Sequence, residues 1–94
     1  MRHAYILVYS NKWTKEQVRT YIDSLREVLN WRTELPNSFY LVSEKTADEL
    51  STLFREFTKD EGLFLIAEIT SNKQGWLDKK SWNMINKKHT PNEE

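Results

Sequence analysis

The sequence predicts an α+β domain in which a four-stranded antiparallel sheet carries two helices on one face, with a short third helix near the C-terminus. Three observations lead there. Four short runs are rich in aromatic and β-branched residues, two longer segments repeat apolar residues at helical spacing, and each of those segments opens on a capping-box pair. The runs follow one another as strand, helix, strand, strand, helix, strand.

Residues 4–10 (AYILVYS) form the first strand and give way to polar Asn11 and Lys12. Tyr5, Leu7 and Tyr9 face opposite to Ala4, Ile6 and Val8, so both faces of this strand are apolar. Thr14 and Gln17 then stand at capping-box spacing, and Val18, Tyr21, Ile22, Leu25, Val28 and Leu29 recur on one face of the first helix. From residue 31 the period falls to two: Trp31, Thr33 and Leu35 alternate with Arg32 and Glu34 until Pro36-Asn37 makes a turn. Residues 38–43 (SFYLVS) are the third strand, close enough to the second to pair with it as an antiparallel hairpin.

A second capping box, Thr46 with Glu49, opens the second helix, whose inward stripe is Leu50, Leu53, Phe54 and Phe57 and whose left-handed cap falls to Gly62. The run 63–70 (LFLIAEIT) is the fourth strand. After a polar loop, Asp78 is placed to cap a last helix that carries Trp82 and Ile85 onto the core, and residues 89–94 read as a flexible tail behind a single domain over 1–88.

Composition narrows the function classes. A chain of 94 residues suits one core and buries somewhat more than ~60% of the unfolded surface. The absence of cysteine excludes a thiolate nucleophile, a disulfide framework and a Cys-ligated zinc, and makes the reducing cytoplasm the expected compartment. No run approaches the ~20 apolar residues of a spanning helix, so no membrane association is expected. Fourteen basic residues balance fourteen acidic ones, so nucleic-acid binding would need a local patch rather than a long-range field. With only Gly62 and Gly75 in the chain, a Gly-rich phosphate loop is excluded, and no cofactor is expected.

The element order is the split βαβ, or ferredoxin-like, βαββαβ arrangement. The chain resembles the SinR family of small ferredoxin-like proteins, relatives of the small CRISPR-associated adaptation protein. The resemblance spans most of residues 4–86. It is carried by SFYLVS after a short hairpin, Thr46-Ala47-Asp48-Glu49, Lys59-Asp60-Glu61-Gly62-Leu63-Phe64, and Gly75-Trp76-Leu77 with Trp82 behind it. It implies a homodimer formed through the sheet and, by analogy, a link to nucleic acid or CRISPR-type defence. It also implies an acid at the end of the first strand, where a pair of carboxylates across the dimer axis would hold a divalent metal. That position is Ser10, a poor ligand for Mg²⁺, so the chain is read as non-catalytic.

The remaining acids near strand ends are Asp60, Glu61 and Glu68, and a metal-dependent nuclease would need at least two of them to converge. Asp60 and Glu61 also suit an ordinary helix-to-strand turn, whereas Glu68 shares a strand face with Phe64 and Ile66. His3 and His89 lie near opposite ends of the chain, without metal-ligand spacing. Lys12 and Trp13, with Arg2, Lys15 and Arg19, make a candidate basic and aromatic patch for nucleic acid; a hydrophobic staple from Trp13 to Val18 is the competing role.

A bare apolar sheet face calls for cover by a partner, by the last helix, or by both. Tyr5, Leu7, Tyr9, Tyr40 and Val42 are therefore the expected dimer interface. The same strands invite comparison with an RNA-recognition motif that stacks bases on Tyr5, Tyr9, Phe39 and Tyr40, although the basic-Gly-aromatic word of that motif is absent. The leading expectation is a homodimeric binding or assembly module whose partner is nucleic acid or another protein. A metal-dependent nuclease and a single-stranded RNA binder are the alternatives.

Overall fold

The computed structural model describes residues 1–94. The chain forms strand β1 (His3–Tyr9), helix α1 (Lys15–Ser24), strands β2 (Asn30–Arg32) and β3 (Ser38–Ser43), helix α2 (Ala47–Thr58), strand β4 (Phe64–Glu68) and helix α3 (Lys79–Lys87), then one 3₁₀ turn, Pro91–Glu93. The four strands form one antiparallel sheet in the order β2-β3-β1-β4. β2 and β4 are its edges.

Both capping boxes form. The amides of Gln17 and Glu49 donate to Thr14 Oγ1 and Thr46 Oγ1 at 3.1 Å, and each side chain at the third helical position takes the cap residue's own amide at 2.9 Å. Helix ends are set by longer-range bonds. α1 stops at Ser24 rather than running to Leu29, because the Leu29 amide already donates to the Val42 carbonyl of β3 at 2.7 Å. α2 is closed not by Gly62 but by Lys59, in the left-handed region at φ 53°, with Asp60 at φ 62° behind it. β2 ends at Arg32, short of the Trp31-to-Leu35 alternation, because Thr33 Oγ1 turns to donate to the Ser38 carbonyl at 2.7 Å. Asp78 sits at the N-cap of α3 without capping it: its carboxylate accepts from Arg32 Nη2 at 3.1 Å instead.

The pleat divides the interior into two cores. Tyr5, Leu7, Tyr9, Phe39 and Leu41 lie under α1 and α2, packed with Val18, Ile22, Leu50 and Phe54. On the opposite face Ala4, Tyr40 and Val42 pack with Met84 and Ile85 of α3. The second face, for which a partner, the last helix or both were expected as cover, is covered in large part by α3. Of the residues expected at a dimer interface, Tyr5, Leu7 and Tyr9 are buried beneath two helices, and Tyr40 and Val42 beneath the third.

Residues 89–94, expected as a flexible tail, fold back onto the start of the chain. Arg2 forks onto the Glu93 carboxylate at 2.6 and 3.2 Å and reaches the Lys88 carbonyl at 3.2 Å. Asn30 Nδ2 donates to the His89 carbonyl at 2.8 Å and to Glu94 Oε1 at 3.2 Å. The Arg2 hydrogen bond, then the Thr90 amide, hold the Glu93 carboxyl down from its ordinary 4.5 to about 2. A carboxyl held low contributes above its unfolded pKa and loses that contribution as the pH falls through its folded one. The clasp is thus expected to open between pH 4.5 and about 2. The carboxyl carbon shift of Glu93 checks this: a midpoint at an ordinary glutamate value would mean that the clasp does not form.

Candidate interaction site

β4 sorts the candidate carboxylates. Asp60 and Glu61 precede it and Glu68 is its last residue, so the strand's five residues, at ~3.3 Å each, hold the two groups apart. Each acid also has its own partner. Asp60 Oδ1 accepts from Arg55 Nη2 at 2.7 Å, Glu61 pairs with Lys12 at 3.2 Å, and Glu68 meets His3 Nδ1 at 2.9 Å. No cluster of three metal-ligating side chains exists anywhere in the chain. The hydroxyl of Ser10 accepts from the Leu63 amide at 3.3 Å, while the Ser10 amide donates to the Leu63 carbonyl at 2.9 Å. Ser10 thus extends the β1–β4 ladder by one pair.

The candidate basic patch is likewise dispersed. Arg2 precedes β1, and Lys12 and Trp13 follow it, so seven strand residues place them roughly 20 Å apart. Arg2 is taken by Glu93, Lys12 by Glu61, and Lys15 Nζ donates to the Leu35 carbonyl at 3.0 Å. Arg19 bonds Glu16 at 2.7 Å, and its guanidinium lies 6.0 Å from the Trp31 ring. Trp13 is half-buried against Phe54 and Phe57, at centroid distances of 6.3 and 5.7 Å. That is a packing role, directed across to α2. Tyr5, Tyr9 and Phe39 lie in the first core and Tyr40 in the second, so none of these four rings faces solvent as a platform for a base.

Around α3, Lys80 and Lys87 line a cleft of about 430 Å³ with Arg32, His89, Glu93 and Glu94. Its charges are of both signs.

What sequence reading missed is the β4 edge. Ser10 and Leu63 form a hydrogen-bonded pair, and in an antiparallel ladder such pairs alternate with unbonded ones. Leu63, Leu65 and Ala67 therefore spend their backbone groups on β1, while those of Phe64, Ile66 and Glu68 point outward from an unpaired edge. Beside that edge lies uncovered apolar surface: Leu63 is 79% exposed, Leu65 63%, and Val8, directly across from Leu65, 42%. α3 shields the Ala4 and Val42 part of this face but not this corner. An apolar edge with unspent hydrogen bonds and no lysine or proline within it is a template for another strand. The signal was present in LFLIAEIT as the most apolar run, but its edge position was not.

No protein-family model, curated protein or solved structure matches this chain. No helix is long and apolar enough to cross a membrane.

Proposed function

We propose that this protein is a non-catalytic assembly module that pairs with a second copy of itself along β4, joining two four-stranded sheets into one. The carrying observation is the unpaired β4 edge flanked by exposed Leu63, Leu65 and Val8. A two-fold axis at Ile66 is self-complementary: it sets Ile66 against its copy, Leu65 against Ala67 and Leu63 against Ile69, and leaves Phe64 opposite Glu68 as the one mixed pair of the run. The β2-β3-β1-β4 order, with α1 and α2 on one face, supports the ferredoxin-like assignment, and the SinR resemblance supports a two-fold assembly. The interface lies at the sheet edge rather than on the sheet face, because the chain fills that face itself. A role in bringing nucleic acid or another protein to a symmetric site extends the same reading. Nuclease chemistry would need the carboxylates that β4 holds apart, and base stacking the rings that the helices cover.

The test is molar mass by light scattering over a dilution series, with amide exchange alongside. The wild type is expected as a dimer with protected Phe64, Ile66 and Glu68 amides. Leu65→Lys is expected as a monomer with unchanged circular dichroism, because a charge on an exposed edge opposes pairing without entering the core. A wild type that is monomeric at every concentration, or a dimer whose three amides exchange freely, would overturn the proposal.

A further inference from the structure

The segment after β4 and helix α3 leave between them a cleft of about 340 Å³ over the second sheet face. This is at the small end of the roughly 300–1,000 Å³ typical of ligand pockets. Its walls are mostly apolar, with Ile6, Leu77, Trp82 and Ile85 inside and Gly75 and Trp76 at one side. Two of its lining residues bear on what it could hold.

The first is Tyr40. It lines the cleft, is buried, and its hydroxyl has no hydrogen-bond partner. Tyr5 satisfies its hydroxyl on the Lys45 carbonyl at 2.6 Å, whereas Tyr9, in the first core, shares the lack with Tyr40; each such group is costly to leave unpaired. Burial, then the Glu34 charge, raise the Tyr40 pKa, which leaves the phenol a neutral donor. The second is Lys73, the one charged residue lining the cleft. Its ammonium donates to the Thr70 carbonyl at 3.1 Å and, like most of the chain's lysines, makes no ion pair, so its charge is free to meet an anion. At the mouth, the indole of Trp76 is 98% exposed, an apolar ring left in water. A Cβ built on the neighbouring Gly75 would meet only Trp82 Cζ2, at 4.0 Å, so the backbone leaves room beside that ring.

We propose that this cleft binds a small monocarboxylic acid with an apolar body, its carboxylate on Lys73 and its body between Trp82 and Leu77. The charge selects the ligand class: a lone ammonium at the rim of an apolar cleft favours an anion over a neutral or cationic molecule of the same shape. The Tyr40 hydroxyl is closed to solvent and becomes a second donor when the ligand's entry opens a way to it, and Trp76 gives the ligand an aromatic surface at the entrance. This inference does not rest on assembly at β4.

The test uses 2-naphthoate, with 2-naphthamide and 2-naphthylmethylamine as its neutral and cationic counterparts, titrated against the full chain and read from the indole N–H resonances of Trp76 and Trp82. The acid is expected to shift both resonances saturably, at least tenfold tighter than either counterpart. Lys73→Gln is expected to abolish that preference. Tyr40→Phe is expected to weaken the acid severalfold without lowering the thermal midpoint, since it removes an unsatisfied hydroxyl. Leu65→Lys is expected to bind as the wild type does, which separates failure here from failure of the assembly proposal. No saturable shift with millimolar acid, equal binding of acid and amide, or a Lys73→Gln variant that keeps the preference would each overturn the site.

Discussion

Phe54→Ala is expected to lower the unfolding free energy by about 3–5 kcal/mol, the range for deleting a buried aromatic ring. Phe54 is 1% exposed and stands where three elements meet. Its ring is 4.8 Å from Phe64 of β4, 5.4 Å from Phe57 of α2, 6.2 Å from Tyr21 of α1 and 6.3 Å from Trp13, between centroids. Removing it leaves a cavity that cannot close without moving α2 off the sheet, and edge-to-face pairs lost with it add to the transfer cost. Against a domain stability of about 5–15 kcal/mol, the variant should be marginal at best. Urea unfolding followed by circular dichroism checks this; a midpoint near that of the wild type would mean that the α2 cluster is not packed as described.

Gly62→Ala is expected to cost about 2–4 kcal/mol, large for the addition of one methyl group to an exposed residue. Two effects sum. Gly62 has φ 73°, where an L-residue is strained by roughly 1–2 kcal/mol. Its added Cβ would fall 2.4 Å from Cη2 and 2.9 Å from Cζ2 of Trp13, so the indole must leave its place against Phe54 and Phe57. The two terms separate in a double-mutant cycle: in a Trp13→Ala background the cost should fall to the strain alone. Equal costs in both backgrounds would show that Trp13 does not rest on Gly62.

These two sites show how far local patterns carried. Phe54 was readable as part of an inward stripe at helical spacing, because helix periodicity reports one face whatever the partner is. Gly62 was readable as a residue at positive φ, but the reason for it was not. The sequence assigns it to the cap, whereas Lys59 does that work and Gly62 yields space to a ring 49 positions earlier in the chain. Asp78 repeats the lesson. A capping residue stands at the start of α3, yet its carboxylate is drawn to Arg32, 46 residues away. The tail looked polar and free because its tether, Arg2 to Glu93, joins residues 91 apart.

The candidate site divides in the same way. Glu68 ends a strand and Asp60 and Glu61 precede its start, while Glu44, directly after β3, was passed over; Lys12 and Trp13 follow β1 closely. Whether such residues converge depends on which strand separates them, and a strand is too long to let its two ends share a ligand.

By itself the sequence determined the local patterns: both capping boxes, the SFYLVS strand at Ser38–Ser43, the inward stripe of α2, and a first strand apolar on both sides. These are properties of residues within a few positions of each other, set by backbone hydrogen bonding and side-chain period. Only the tertiary structure decided that α3 covers the second face, that the C-terminal residues clasp Arg2, and that β4 is left as an apolar edge. Those outcomes depend on which of several equally apolar surfaces meet, and one period-two strand offers both of its faces to any helix that can reach them.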